Sequence, residues 1–112
     1  MVLTRPEQIR IELPMESIAL ACQKFGVSEL AVFGSVLRDD FNPARSDVDF
    51  LVRFIDNDYG PWGHKLMDLE EELGVLLGRK VDVVSWRGVE QSRNVYRRSH
   101  IIQHARRIYE QG

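Results

Sequence analysis

Asp47-Val48-Asp49-Phe50-Leu51-Val52-Arg53-Phe54 is the stretch that decides the fold, because Val48, Phe50, Val52 and Phe54 alternate in it with Asp47, Asp49, Leu51 and Arg53. A period of two belongs to a strand with unlike faces. The apolar set faces a core, and the other set carries two carboxylates to the opposite side. Residues two apart on one face have Cα atoms about 6.5–7 Å apart, so Asp47 and Asp49 project into the same space. An acidic pair on a short central strand is costly to desolvate unless a cation or a cluster of donors balances it. A divalent metal is the natural counter-charge.

Working outward, Arg38 to Ser46 is rich in Asp, Asn, Pro and Ser, which is turn chemistry. Before it, Leu30 to Phe33 is a short apolar run that breaks at Gly34-Ser35, the pattern of a buried strand. Earlier still, Met15, Ile18, Ala21, Cys22 and Phe25 recur at helical steps and Gly26 follows as a C-cap. On the other side, Asp56 to Gly60 predicts a turn, and Pro61 opens a helix with Leu66, Leu69, Leu73 and Leu76 on one stripe, ended by Gly78. Val81 to Val84 predicts a third strand, and Val95, Ile101, Ile102, Ala105 and Ile108 predict a last amphipathic helix that closes the chain. The expected order is α-β-β-α-β-α. The expected fold is α/β (α+β): one domain over residues 1–112, with a small three- to four-stranded mixed sheet, helices on one face and the other face open.

Composition agrees with a single globular domain: 112 residues, 44% hydrophobic and 29% charged, which disfavours disorder, collagen and coiled coil. No apolar run approaches the ~20 residues of a membrane-spanning helix, and Arg5, Glu7 and Arg10 stand where a signal peptide has its apolar stretch. The lone cysteine, Cys22, fits a reducing compartment, so a cytoplasmic protein is expected. The net charge of -2 conceals an asymmetry. Residues 1–78 hold 14 acids against 7 bases, and residues 79–112 hold 3 acids against 8 bases. That basic tail suits an acidic partner, a nucleotide or nucleic acid, or serves simply to offset the acidic half.

Asp82 repeats the carboxylate arrangement between Val81 and Val83. If its strand lies beside the Asp47–Asp49 strand, three carboxylates without His or Cys form a hard, all-oxygen site for Mg²⁺ or Mn²⁺, suited to two-metal phosphoryl chemistry. Gly34 lets backbone N–H groups approach a phosphate and Ser35 adds a hydroxyl. Arg38 offers a planar fork to the same phosphates, and Ser46 either bonds a phosphate oxygen or caps the start of the strand. Plainer roles exist for each. Asp47 and Ser35 suit a turn, Asp82 suits an exposed strand position, and Arg38 can pair with Asp39 or Asp40. Lys65 reads as a solvated helix residue, His64, His100 and His104 as surface residues, and Trp62 and Trp86 as core or interface anchors.

Phe33-Gly34-Ser35, eleven residues, Asp47-Val48-Asp49-Phe50 and the later Asp82 together resemble the signature of the nucleotidyltransferase superfamily, that of DNA polymerase beta and kanamycin nucleotidyltransferase. Within it the chain looks like the minimal nucleotidyltransferases, the MNT antitoxins encoded beside HEPN-domain toxins. The resemblance implies that Asp47 and Asp49 bind two Mg²⁺ ions, that Asp82 binds one and helps activate the attacking hydroxyl, and that Gly34 and Ser35 hold the triphosphate. It also implies transfer of AMP from ATP to a tyrosine of a partner HEPN toxin. Asp39 stands where family members often have Gly after the arginine. Larger relatives carry a further domain that grips the acceptor, so a chain of this length is expected to rely on the acceptor's own docking surface. The basic tail, with Arg93, Arg97, Arg98, Arg106 and Arg107, is the expected interface. The rival readings are an antitoxin acting by occlusion alone and an enzyme adding nucleotides to RNA ends, with the tail as a phosphate track. Arg93 and His100 superficially match the nuclease motif of HEPN toxins, but those domains are all-helical and three strands are expected here.

Overall fold

Helix α1 spans Met15–Phe25, and its three buried residues are Ile18, Ala21 and Cys22, the inward stripe that the spacing predicts. The computed structural model describes residues 11–37, 41–42 and 46–111. At the end of α1, Gly26 takes a left-handed φ of 70°, and its N–H reaches the carbonyls of Cys22 and Gln23. The chain then reverses into strand β1, Val27–Phe33. Strand β2, Val48–Phe54, runs antiparallel to it, in register from Val27↔Phe54 to Phe33↔Asp49 with a bulge between Val27 and Glu29.

Parallel neighbours need a crossover rather than a hairpin. Helix α2, His64–Leu77, provides it, entered through the short 3-10 turn Pro61–Gly63 and closed by Gly78 in the left-handed region. Strand β3, Val81–Ser85, therefore lies parallel to β2, with Asp49 opposite Asp82. One sheet face packs Leu30, Val32, Phe50, Val52 and Val83 against Ile18 and Cys22 of α1 and Leu69 and Leu73 of α2. Each such fully buried side chain contributes roughly 1.5–3 kcal/mol. β3 is an edge strand, and Glu70 of α2 closes part of its open side by accepting from the Val83 N–H at 3.0 Å.

The end of the chain departs from the expected single helix. A short helix α3, Trp86–Glu90, is capped by the Ser85 hydroxyl, which accepts from the Gly88 N–H at 2.9 Å. Helix α4, Val95–His104, is capped by the Asn94 side chain, which accepts from the Arg97 N–H at 3.0 Å. Ala105 leaves the helix with a ψ of 142°, and Arg106–Glu110 forms strand β4. β4 pairs antiparallel with β1, giving the order β3-β2-β1-β4. The order of elements is thus α-β-β-α-β-α-α-β, and Ile108, Arg106 and Arg107 sit on a strand. The reason is non-local: β1 would otherwise present an open edge beside β2, and β4 satisfies it.

The sheet is mixed and four-stranded, as expected, with α1 and α2 on one face. The second face is not wholly open, however. Ala31, Phe33 and Leu51 form a smaller buried cluster there with Val89 of α3 and Ile101 of α4. Leu51, on the carboxylate face of β2, needs that cover because an exposed leucine row beside Ala31 and Phe33 would leave apolar area in water. Among the described residues no helix is long and apolar enough to cross a membrane.

Candidate active site

The strand that alternates so cleanly sets Asp49 on the second face, at the end where β1 finishes in Gly34. Parallel pairing puts Asp82 directly opposite Asp49, and neighbouring strands lie about 4.8 Å apart. Two carboxylates from stretches 33 residues apart thus share one place on the sheet. Both are half-buried. Phe33, opposite Asp49 on the other side, walls this place with a side chain that is 8% exposed.

Gly34 is the third part. Its φ of 76° lies in the left-handed region, and an added Cβ would stand 2.5 Å from Asp49 Oδ2. The absence of a side chain at Gly34 therefore keeps the Asp49 carboxylate in place against the backbone of the turn 34–37. The Ser35 side chain, like Arg38, lies outside the described residues.

Asp47 stands immediately before β2 and two residues from Asp49, on the same side by the pleat. Its Oδ2 lies 3.7 Å from Lys80 Nζ, and both side chains are substantially solvated. The Val48 N–H donates to the Lys80 carbonyl at 3.3 Å, tying the two strand starts together. Lys80, which the sequence reading passes over, stands beside the candidate site. Its signal was present: Lys80 precedes Asp82 by the same two residues by which Asp47 precedes Asp49, so a parallel register brings the two together.

Ser46 behaves as a closure of its own loop. Its hydroxyl accepts from the Asn42 N–H at 3.0 Å, and its N–H donates to the Asn42 carbonyl at 2.7 Å. Lys65 pairs with Asp58 at 3.2 Å, in keeping with a solvated helix residue. The Gly60 N–H, first, and then Lys65 hold the Asp58 carboxyl below its ordinary value. Of the two tryptophans, Trp86 packs beside the second cluster while Trp62 is 93% exposed. His100 and His104 are exposed on α4 with ring centroids 4.4 Å apart.

Among the described residues no three His, Cys, Asp or Glu side chains gather as a group able to hold a metal ion. The donor chemistry nevertheless fits a hard divalent cation. Two carboxylates stand in register, a third opens the same strand, and at Gly34 the backbone turn leaves a cradle that a Cβ would fill. All the donors are oxygens.

Comparison with known proteins places this geometry. The protein adenylyltransferase MntA of Thermococcus cleftensis is 45% identical over 62 residues, which is 55% of this chain and 59% of that protein. The chain thus spans about three fifths of the length of that curated relative. A solved structure of a candidate minimal nucleotidyltransferase is 32% identical, with a TM-score of 0.57, and the match covers 81% of this chain and 85% of that one. The complex of a tri-AMPylated Shewanella oneidensis HEPN toxin with MNT antitoxin contains a chain that is 17% identical, with a TM-score of 0.57, covering 87% of this chain and 70% of that one. At that identity the likeness is one of fold. The nucleotidyltransferase domain family matches residues 15–108, from the first residue of α1 to the middle of β4, and takes in Gly34, Asp47, Asp49 and Asp82: the chain belongs to the nucleotidyltransferase domain family.

Proposed function

We propose that this protein transfers the adenylyl group of ATP to a hydroxyl, a tyrosine's in our reading, of a HEPN-domain partner, and that it thereby acts as an antitoxin. The observation that carries the proposal is the register that sets Asp82 opposite Asp49 beside the Gly34 turn, because a nucleotidyl transfer needs convergent carboxylates next to a phosphate-binding backbone. Membership of the family and the names of two relatives, a protein adenylyltransferase and an AMPylated toxin complex, support it.

In this reading Asp47, Asp49 and Asp82 hold two Mg²⁺ ions. Bound there, magnesium neutralises charge on the transferred phosphate and lowers the pKa of the attacking hydroxyl. The chain's own residues do the rest. Asp82, on the neighbouring strand, stands beside the acceptor and takes up its proton. The Gly34 turn orients the triphosphate through its backbone N–H groups, with Ser35 and Arg38 adding contacts to the same oxygens. Lys80, beside Asp47, offers a cation to the departing pyrophosphate. The acceptor oxygen bonds to the α-phosphorus as the bond to the β-phosphate oxygen breaks, so pyrophosphate leaves in line.

The test is direct. The protein is incubated with Mg²⁺, ATP and its HEPN-domain partner, and the partner is weighed by intact mass spectrometry, with Asp49→Asn as control. An added adenylyl group seen only with the unaltered protein supports the proposal. Tight association without any adduct would establish occlusion instead, and a labelled RNA end would establish the polynucleotide reading.

A further inference from the structure

On α4, His100 and His104 stand one helical turn apart, both exposed, with ring centroids 4.4 Å apart and ring planes inclined by 38°. Residues four apart on a helix lie one above the other on a single face, so the two imidazoles already meet. We infer that this pair is a chelating site for a borderline divalent transition ion, Cu²⁺ or Ni²⁺. It is built from residues outside the carboxylate site and does not depend on the transferase reading.

The spacing of the rings carries the inference. Imidazole nitrogen suits such ions, whereas Mg²⁺ takes oxygen ligands. When an imidazole nitrogen lies about 2.0–2.1 Å from an ion, its ring centroid lies about 3.2 Å away; two such rings then stand about 4.5 Å apart for bonds at right angles and about 5.2 Å apart for bonds at the tetrahedral angle. The 4.4 Å found here matches the right angle, which tetragonal and octahedral ions adopt and tetrahedral zinc does not. The rings are also gathered before any ion arrives, so binding them costs little further side-chain freedom. Among the described residues no third His, Cys, Asp or Glu joins the pair, and water completes the coordination.

The place of the pair on α4 gives the ion something to do. The helix has ten residues and one buried side chain, Ile101, and helices shorter than about 12–15 residues are marginal on their own. Its last turn is closed by the Ala105 N–H, which donates to the Ile101 carbonyl at 2.9 Å, and by Arg106 Nη1, which donates to the His104 carbonyl at 2.9 Å. An ion bridging His100 and His104 clamps that same turn. Ile101 lies inside the bridged segment and packs with Phe33 and Leu51, so the clamp steadies the cover of the second sheet face.

The experiment titrates the intact, untagged chain with Cu²⁺ and with Ni²⁺ near neutral pH, followed by calorimetry and, for Cu²⁺, by visible absorption. His100→Ala and His104→Ala are compared with His64→Ala, whose imidazole lies on α2. The expected result is one ion per chain, a Kd raised about tenfold or more in either α4 variant, unchanged binding in His64→Ala, and slower amide exchange over residues 101–104 with the ion bound. Binding that survives unaltered in either α4 variant would overturn the inference, as would a loss in His64→Ala or an absence of binding by both methods at about 1 mM ion. Tighter binding of Zn²⁺ than of Ni²⁺ would overturn the right-angle geometry. Magnesium-dependent transfer should be the same in all three variants, so the fate of this site and that of the transferase reading are read separately.

Discussion

Gly34 and Asp49 approach so closely that any side chain at the glycine would displace the carboxylate: a Cβ there would meet Asp49 Oδ2 at 2.5 Å, on a backbone already at a φ of 76°. The turn and the carboxylate are therefore one unit. Moving either displaces the other, which is how a backbone loop and a side chain fifteen residues later in sequence come to act at one point.

Gly34→Ala should show both halves of that coupling. The left-handed backbone costs a non-glycine residue about 1–2 kcal/mol, and the added methyl pushes the Asp49 carboxylate out of position. Urea denaturation should report the lost stability. Transfer should fall much further than stability does, and a variant with wild-type transfer would break the link.

Asp49→Asn and Asp82→Asn should lower adenylyl transfer by at least about 10²-fold while leaving the urea midpoint unchanged or raised. Like charges facing each other across a strand pair destabilise it, so neutralising one should not loosen the sheet. Asp47→Asn weakens the pair with Lys80 at 3.7 Å, a contact with a largely solvated lysine that is worth little to stability. A collapse of the fold in any of the three would mark that carboxylate as structural.

Cys22 should be inert to alkylation in the folded protein at pH 8. It is fully buried, and burial pushes its thiol up to about 12 from an ordinary 9.0. Because the folded value is the higher one, the stability that this neutral thiol contributes is complete below about pH 9 and is lost as pH rises from 9 toward 12. Labelling with iodoacetamide in native buffer and in urea tests the first point, and melts above pH 9 for the protein and Cys22→Ala test the second.

Asn94→Ala removes the oxygen that accepts from the Arg97 N–H and should cost about 1 kcal/mol, read as a lower urea midpoint.

The sequence made the centre of the molecule legible because its signals there are local. Ile18, Ala21 and Cys22 gave α1 its true limits, and the alternation from Asp47 to Phe54 fixed both the strand and the direction of its carboxylates. Asp82 could be set beside Asp49 only on the assumption that its strand was a neighbour, and the α2 crossover made it one. The end of the chain was illegible for the opposite reason. Ile101, Ala105 and Ile108 fit a helical stripe, yet Ile108 lies on β4, whose residues are only half-buried. Nothing local distinguishes such an edge strand, since what selects it is the open side of β1. α3 is five residues long, too short to show a period. Lys80 was missed because its place beside Asp47 comes from register rather than from any motif.

The parallel pairing of β2 with β3 also governs when the candidate site comes into being. Asp49 and Asp82 become neighbours only after α2 has folded back across the sheet, and such long-range parallel contacts are among the slowest to form. A nascent or partly melted chain can hold an intact α1 and an intact β1–β2 hairpin and still have no reaction centre. In the proposed reading, transfer would therefore require completed folding, and a chain caught halfway would be silent rather than promiscuous.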